Sequence, residues 1–379
     1  MRFCEKCLYP DTKPQLQFDE NGVCDACVAS GKKDNINWDE RKNELKQVLE
    51  KFRSKDGSRY DCLVPVSGGK DSHFQAHVIK EWYGLNPLLV NFIPIDLIPL
   101  GRKNIENLKN QGFDYIEFTP NPKVYREMEK YGFHELGDAN WPEHVGIFTV
   151  PAQIAVAYKI PLIIWGENPQ VEYGGPGVGN VLDRQWLEKF GGFWLDEVNP
   201  VDVMMKKGIE KRHLKPYIYP SDEEIQQVGV RGIFLGQYIK YDIDKELEIV
   251  EKNGFSRNPE PKEGTYTDWE NLDTKYTGMH DYFKWIKYGF GRSTDHASLD
   301  IRKGRISRDE GLKLVKEHEG KIPEKYFDDF LNDIEITKDI FYKVVDKFAN
   351  HSLFKKDENG NLLRDERGNL TKIQYDNIE

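Results

Sequence analysis

The sequence predicts an α/β protein built on a doubly wound parallel sheet, with a small cysteine module before it and a mainly helical region after it. Three observations carry that prediction. From residue 59 to 255, short apolar, β-branched runs alternate with helix-length segments, as strands buried on both faces by crossover helices require. A glycine-rich turn, Ser67-Gly68-Gly69-Lys70-Asp71-Ser72, joins the first such run to the first such helix. Ahead of both stand Cys4-x-x-Cys7 and Cys24-x-x-Cys27, with sixteen residues between the pairs.

Composition narrows the functional classes. At 379 residues the chain is long enough for one sizeable α/β domain with accessory pieces. A net charge of −10 with 31% charged residues disfavours a broad nucleic-acid-binding face. Asn91 and Asp96 interrupt the best apolar stretch, which falls short of the about 18 residues of a membrane span. The opening MRFCEKC has no apolar signal-peptide core. A cytoplasmic location is the expectation.

Residues 1–36 read as a zinc ribbon, in which two knuckles give four thiolates, from Cys4, Cys7, Cys24 and Cys27, to one tetrahedral Zn²⁺. Disulfides are the rival reading and suit secreted chains. Four thiolates leave no open coordination position, so the metal is expected to be structural. Residues 37–58 follow as an amphipathic helix, Asn37 to Arg53, with Trp38, Leu45, Val48, Leu49 and Phe52 as its apolar stripe, and a polar linker.

In the domain 59–255 the first strand is Cys62 to Val66, and Gly84 is placed to close the helix after it. Two glycines let the backbone approach a phosphate, and the N–H groups of the first helical turn point at it. Ser67 and Ser72 add hydroxyl donors, Lys70 a mobile cation, and Asp71 a ligand for the Mg²⁺ that a polyphosphate carries. A glycine-rich turn with no ligand is the alternative. The Walker pattern is excluded, because Val64 and Asp71 stand where it needs Gly and Ser or Thr.

Further strands are expected at Leu88 to Ile93, Tyr115 to Phe118, Leu162 to Trp165 and Arg231 to Leu235, with helices at Arg102 to Gln111 and Pro151 to Tyr158. Asn91, polar in an apolar run, is placed to meet adenine or ribose. Gly166, Glu167 and Asn168 form a glycine-plus-polar turn at a strand end, which reads either as a nucleotide contact or as an ordinary turn. Residues 170–179 read as a glycine-rich loop over the site, and about 183–229 as an inserted helical excursion.

The region 256–354 is expected to be mainly helical and to complete the site. Gly289 and Gly291 break the chain and leave Arg292, Ser293, Thr294, Asp295 and His296 on a tight polar loop, with Lys287 just before it. Arg292 and His296 are candidates for substrate binding and Lys287 for a place nearer the phosphates. The competing reading is a helix connection in which Asp295 caps a helix and Arg292 is solvated. Ser307 and Glu310 form a capping box. Residues 355–379 read as a tail or hairpin.

SGGKDS after a strand resembles the PP-loop of ATP pyrophosphatases, the adenine nucleotide α-hydrolase-like enzymes that split ATP between its α and β phosphates. The ribbon, DCLVPVSGGKDS, IIWGENPQVEYGG, IFLGQYIKYD and KYGFGRSTDHAS…IRKGRISR occur in this order, and together resemble the N-acetyl sugar amidotransferase family of surface-glycan biosynthesis, including O-antigen and nonulosonic acids. The likeness runs from about Cys4 to Lys321. It implies that ATP adenylates the acetamido oxygen of a nucleotide-linked sugar, that ammonia displaces AMP to leave an acetamidino group, and that ATP, Mg²⁺ and structural Zn²⁺ are bound.

Cys62, the one cysteine outside the ribbon, is expected to be buried in mid-strand and inert, so the chain should not hydrolyse glutamine. The resemblance implies ammonia from a separate glutaminase subunit with a cyclase-like barrel subunit. General-base help is open between Glu167 and Asp295. Two other readings are a PP-loop tRNA-thiolating enzyme, which would need catalytic cysteines and a basic face, and a non-enzymatic ATP-sensing zinc-ribbon adaptor.

Overall fold

The computed structural model describes residues 1–166, 174 and 198–373. Glu167, Asn168 and all of the 170–179 stretch except Gly174 lie outside the described residues.

Among the described residues, five strands form one parallel sheet: β1 (Cys62–Pro65), β2 (Pro87–Phe92), β3 (Asp114–Phe118), β4 (Leu162–Trp165) and β5 (Arg231–Phe234). Their order is β3-β2-β1-β4-β5. The chain winds outward from β1 to β3, then returns across β1 to β4 and β5. Connections at the carboxyl ends of β1 and β4 therefore leave in opposite directions, which opens the crevice where ligands of such sheets bind.

The strands are apolar because both faces are covered, and their side chains divide with a period of two. Leu63, Leu88, Val90 and Ile163 face one layer, with Val124 and Met128 and with Trp141 and Val145. Cys62, Val64, Leu89 and Ile164 face the other, with Leu45, Leu49, Phe74, Leu247 and Val250.

In chain order the helices are α1 (Asp25–Lys33), α2 (Trp38–Phe52), α3 (Lys70–His77), α4 (Pro99–Lys109), α5 (Pro122–Tyr131), α6 (Trp141–Ala157), α7 (Pro200–Lys206), α8 (Asp222–Val228), α9 (Ile243–Lys252), α10 (Thr277–Tyr288), α11 (Arg292–Arg302), α12 (Arg308–His318), α13 (Phe327–Asp333) and α14 (Lys338–Phe348). A π-helical turn, Val78–Trp82, carries α3 on toward Gly84. The helix expected from Pro151 starts much earlier, at Trp141. Pro142 sits in its first turn, where a missing N–H costs nothing, and Pro151 lies inside it.

The largest correction concerns Arg292 to His296. They are the first turn of α11 and not a tight polar loop. Gly289, at φ 75°, ends α10, and Gly291 caps α11, so Phe290 alone separates the two caps. Ser293 to Ser298 are buried because their polar groups find partners on distant segments.

Beyond the sheet, α10, α13 and α14 share an aromatic core that includes Phe283, Phe330 and Phe341. The tail folds back through antiparallel bridges Lys356↔Leu362 and Arg364↔Leu370. Asp357 and Asp365 each accept N–H groups from residues two and four farther on, which is how Asx turns hold such connections. Among the described residues, no helix is long and apolar enough to cross a membrane.

Candidate active site at the glycine-rich loop

The loop from Ser67 to Gly69 leaves the carboxyl end of β1, and Lys70 opens α3. Gly68 has φ +92°, and a Cβ there would come within 2.8 Å of the Ile105 side chain. Only glycine fits both demands. The Ser67 N–H donates to Ser72 Oγ at 2.8 Å, and the Gly69 N–H faces Ser67 Oγ at 3.3 Å. The serine hydroxyls thus shape the turn itself.

Lys70 is 4% exposed. Its ammonium donates to Asp71 Oδ1 at 2.6 Å and to Glu246 Oε2 at 3.1 Å, and lies 5.3 Å from the centre of the Trp269 ring. Burial pushes the Glu246 carboxyl up, against the pull of Lys70. Glu246, on α9, was not legible in the sequence, because it meets Lys70 across 176 residues.

A cavity of about 130 Å³ lies over the loop. Ser67 to Asp71 form one wall, and Trp269, Glu270, Leu272 and Asp273 form the other. The second wall rests on α4 because position 101 is glycine: a Cβ there would approach the Asp273 backbone to 2.7 Å. Glu270 is fixed by His296, whose Nε2 lies 2.9 Å from Glu270 Oε2. His296 Nδ1 lies 2.7 Å from Thr265 Oγ1 and 3.2 Å from Thr267 Oγ1. Burial alone would raise the Glu270 carboxyl, but the His296 ring beside it prevails and holds it at about 2.

The other expected residues divide. Asn91 is buried in β2 and donates to the Tyr115 hydroxyl at 2.9 Å. Gly166 ends β4, and its carbonyl accepts from the Gly236 N–H at 3.1 Å. Arg292 makes a two-point ion pair with Asp281 at 3.0 and 3.2 Å. The Lys287 ammonium donates to the Leu136 carbonyl at 3.2 Å. Asp295 accepts from the Tyr9 hydroxyl at 3.0 Å and pairs with Lys284. Cys62 is fully buried in β1, and burial pushes its thiol up, away from the reactive thiolate.

The four ribbon sulfurs converge. Cys4 and Cys27 Sγ are 3.8 Å apart, and Cys7 and Cys24 Sγ 3.7 Å. Zn–S bonds of about 2.3 Å in a tetrahedron give an edge of about 3.8 Å, so the cluster fits Zn²⁺. The Lys6 and Cys24 N–H groups donate to Cys4 Sγ, as they would to a thiolate. The module is docked on α11 and α12: the Leu8 N–H donates to Ser298 Oγ, and Arg308 donates to the Cys7 carbonyl.

Comparison with known proteins bears on the second wall. Residues 263–367 match the family model for "LPS biosynthesis protein WbpG-like, C-terminal domain". Over 108 residues, 28% of this chain, the sequence is 31% identical to uncharacterized protein MJ1599 of Methanocaldococcus jannaschii, and the match spans 37% of that relative's length. Among solved structures, NMN synthetase from Francisella tularensis aligns over 74% of this chain and 92% of its own, at 14% identity and a TM-score of 0.34. A structure titled as a predicted subunit of tRNA methyltransferase from M. jannaschii aligns over 52% of this chain and 89% of its own, at 22% identity and a TM-score of 0.24. Residues 263–367 thus resemble the C-terminal domain of WbpG-like LPS biosynthesis proteins, and the segment Trp269 to Asp273 that lines the cavity with the glycine-rich loop lies within the matched stretch.

Proposed function

We propose that this protein is an ATP-dependent amidotransferase that converts an acetamido group of a nucleotide-linked sugar to an acetamidino group, in the making of LPS O-antigen or a related surface glycan. One observation carries the reading. The loop that resembles a PP-loop and the segment Trp269 to Asp273, inside the region matched to LPS biosynthesis proteins, line one cavity. Nucleotide and sugar chemistry would therefore meet at one place.

In the first step the acetamido oxygen attacks the α-phosphorus of ATP, the bond to the bridging α–β oxygen breaks, and pyrophosphate leaves. The amide N–H proton is released, giving an imidate-like AMP ester. Ammonia then adds to the amide carbon, the C–O bond breaks, and AMP departs with the oxygen. Amide oxygen is a poor leaving group and AMP a good one, which is why ATP is spent.

The Gly68 and Gly69 amides and the first turn of α3 would hold the outer two phosphoryls, and Lys70 would neutralise charge that grows on them. Asp71 and Glu270, which both line the cavity, would hold Mg²⁺, which when bound neutralises phosphate charge. Cys62, the one cysteine outside the ribbon, is buried, so this chain would not hydrolyse glutamine itself; the resemblance to N-acetyl sugar amidotransferases implies ammonia from a separate glutaminase subunit with a cyclase-like barrel subunit.

The test is incubation with ATP, ammonium and candidate UDP-linked acetamido sugars. The expected products are AMP, pyrophosphate and a sugar in which one oxygen is replaced by NH. Formation of ADP, or nucleotide binding without turnover, would overturn the reading and favour a kinase-like or sensing role.

A further inference from the structure

We propose that Asp138, His144 and His280 form a second metal site, which takes a divalent first-row transition-metal ion through one carboxylate and two imidazole nitrogens. The inference does not depend on the amidotransferase reading. Asp138 lies between α5 and α6, His144 in the first turn of α6, and His280 near the start of α10. Three separate segments therefore bring their donor atoms to one point.

The geometry suits coordination. His144 Nδ1 lies 3.0 Å from Asp138 Oδ2, and His280 Nδ1 lies 3.0 Å from Asp138 Oδ1. All three donor atoms fall within 4.8 Å of one another. Metal–nitrogen and metal–oxygen bonds of about 2.1 Å put neighbouring donors about 3.0 Å apart at octahedral angles and about 3.4 Å apart at tetrahedral ones. The two imidazoles stand edge to face, with centroids 4.9 Å apart at 77°, so their Nδ1 atoms converge on the carboxylate.

Charge points the same way. Asp138 is 3% exposed, and among the described residues it makes no ion pair with lysine or arginine. A buried carboxylate needs a compensating cation, which either protonated imidazoles or a metal ion bound at their Nδ1 atoms would supply. Glu143, next to His144 in the first turn of α6, adds a further carboxylate.

The donor set selects the class of ion. Two imidazoles and one carboxylate suit zinc, iron or cobalt, whereas magnesium and calcium prefer oxygen alone. The His144 and His280 side chains keep about a quarter of their surface exposed (27% and 26%). Three protein ligands on a partly open site leave coordination positions for water or for an oxygen or nitrogen of a substrate. α6 leads into the amino end of β4, so its own first turn lies at the carboxyl edge of the sheet, the edge that carries the glycine-rich loop.

Cobalt(II) added to metal-free full-length protein tests the proposal. The ribbon site should bind one equivalent with intense thiolate-to-cobalt charge transfer. A second equivalent should bind with weak d–d absorption alone. His144→Ala, His280→Ala and Asp138→Asn should each lose the second equivalent and keep the first, and the retained charge-transfer band reports that the ribbon is folded. Saturation of the wild type at one equivalent, the outcome for a purely hydrogen-bonded His–Asp–His cluster, would overturn the proposal. So would a second equivalent that survives in all three variants.

Discussion

The ammonium of Lys70 and the carboxylate of Glu246 lie 3.1 Å apart with both side chains almost fully buried. Lys70→Met would strand the Glu246 charge, and breaking such a pair from one side costs about 3–5 kcal/mol. Urea unfolding at neutral pH should show that loss. Lys70→Met combined with Glu246→Leu should recover most of it, while AMP and pyrophosphate production stays absent in both proteins.

Gly68 tests the cradle without touching charge. Gly68→Ala puts a methyl group 2.8 Å from Ile105 at a φ of +92°. Strain of about 1–3 kcal/mol is expected, together with a loss of about a hundredfold in kcat/KM for ATP, because misplaced phosphoryl groups react slowly. Zinc content should not change.

His296 acts through Glu270. With the ring removed in His296→Ala, burial of Glu270 is no longer opposed by its strongest partner, so its carboxyl should rise from about 2. Activity then requires a higher pH to ionise Glu270, and the acid limb of the pH–rate profile should move upward. A purely structural role for His296 would lower activity at every pH and leave the limb in place.

Zinc removal should reach beyond the ribbon. Tyr9 donates to Asp295, and the Leu8 N–H donates to Ser298, both on α11. Chelation should therefore lower Tm and speed hydrogen exchange along α11, with activity falling in parallel. Exchange in β2 and β3 should change far less.

Glu319 carries a pH signature. It accepts the Thr294 N–H at the start of α11, and burial raises its carboxyl to about 7. The folded protein therefore holds a proton that the unfolded chain releases at lower pH. Stability from this group is complete in acid and declines as pH climbs toward 7. Glu319→Gln keeps the acceptor and removes the charge. Its stability relative to wild type should grow between about pH 5 and 7 by roughly 2–3 kcal/mol, as read from paired denaturant titrations.

The sheet and the glycine-rich loop were legible because their signals are local. β4 falls on the expected residues, and β1, β2, β3 and β5 lie within a residue or two of theirs. Apolar runs bounded by turns declare themselves without reference to anything distant. The far wall was not legible, since Trp269 to Asp273 meet the loop only after folding. Arg292 to His296 misled for the same reason. Their polarity suggested water, whereas Asp281, Glu270 and Thr265 satisfy them inside the protein. The Asp138 cluster was equally hidden, with His280 lying 142 residues from its partner.

The close seat of Asp273 on Gly101 ties two stretches of chain that are made far apart in time. A ribosome releases the loop and α4 long before residue 269 exists, so the nascent sheet can form while its phosphate cradle stays half open to water. The cradle closes only once synthesis has passed Asp273.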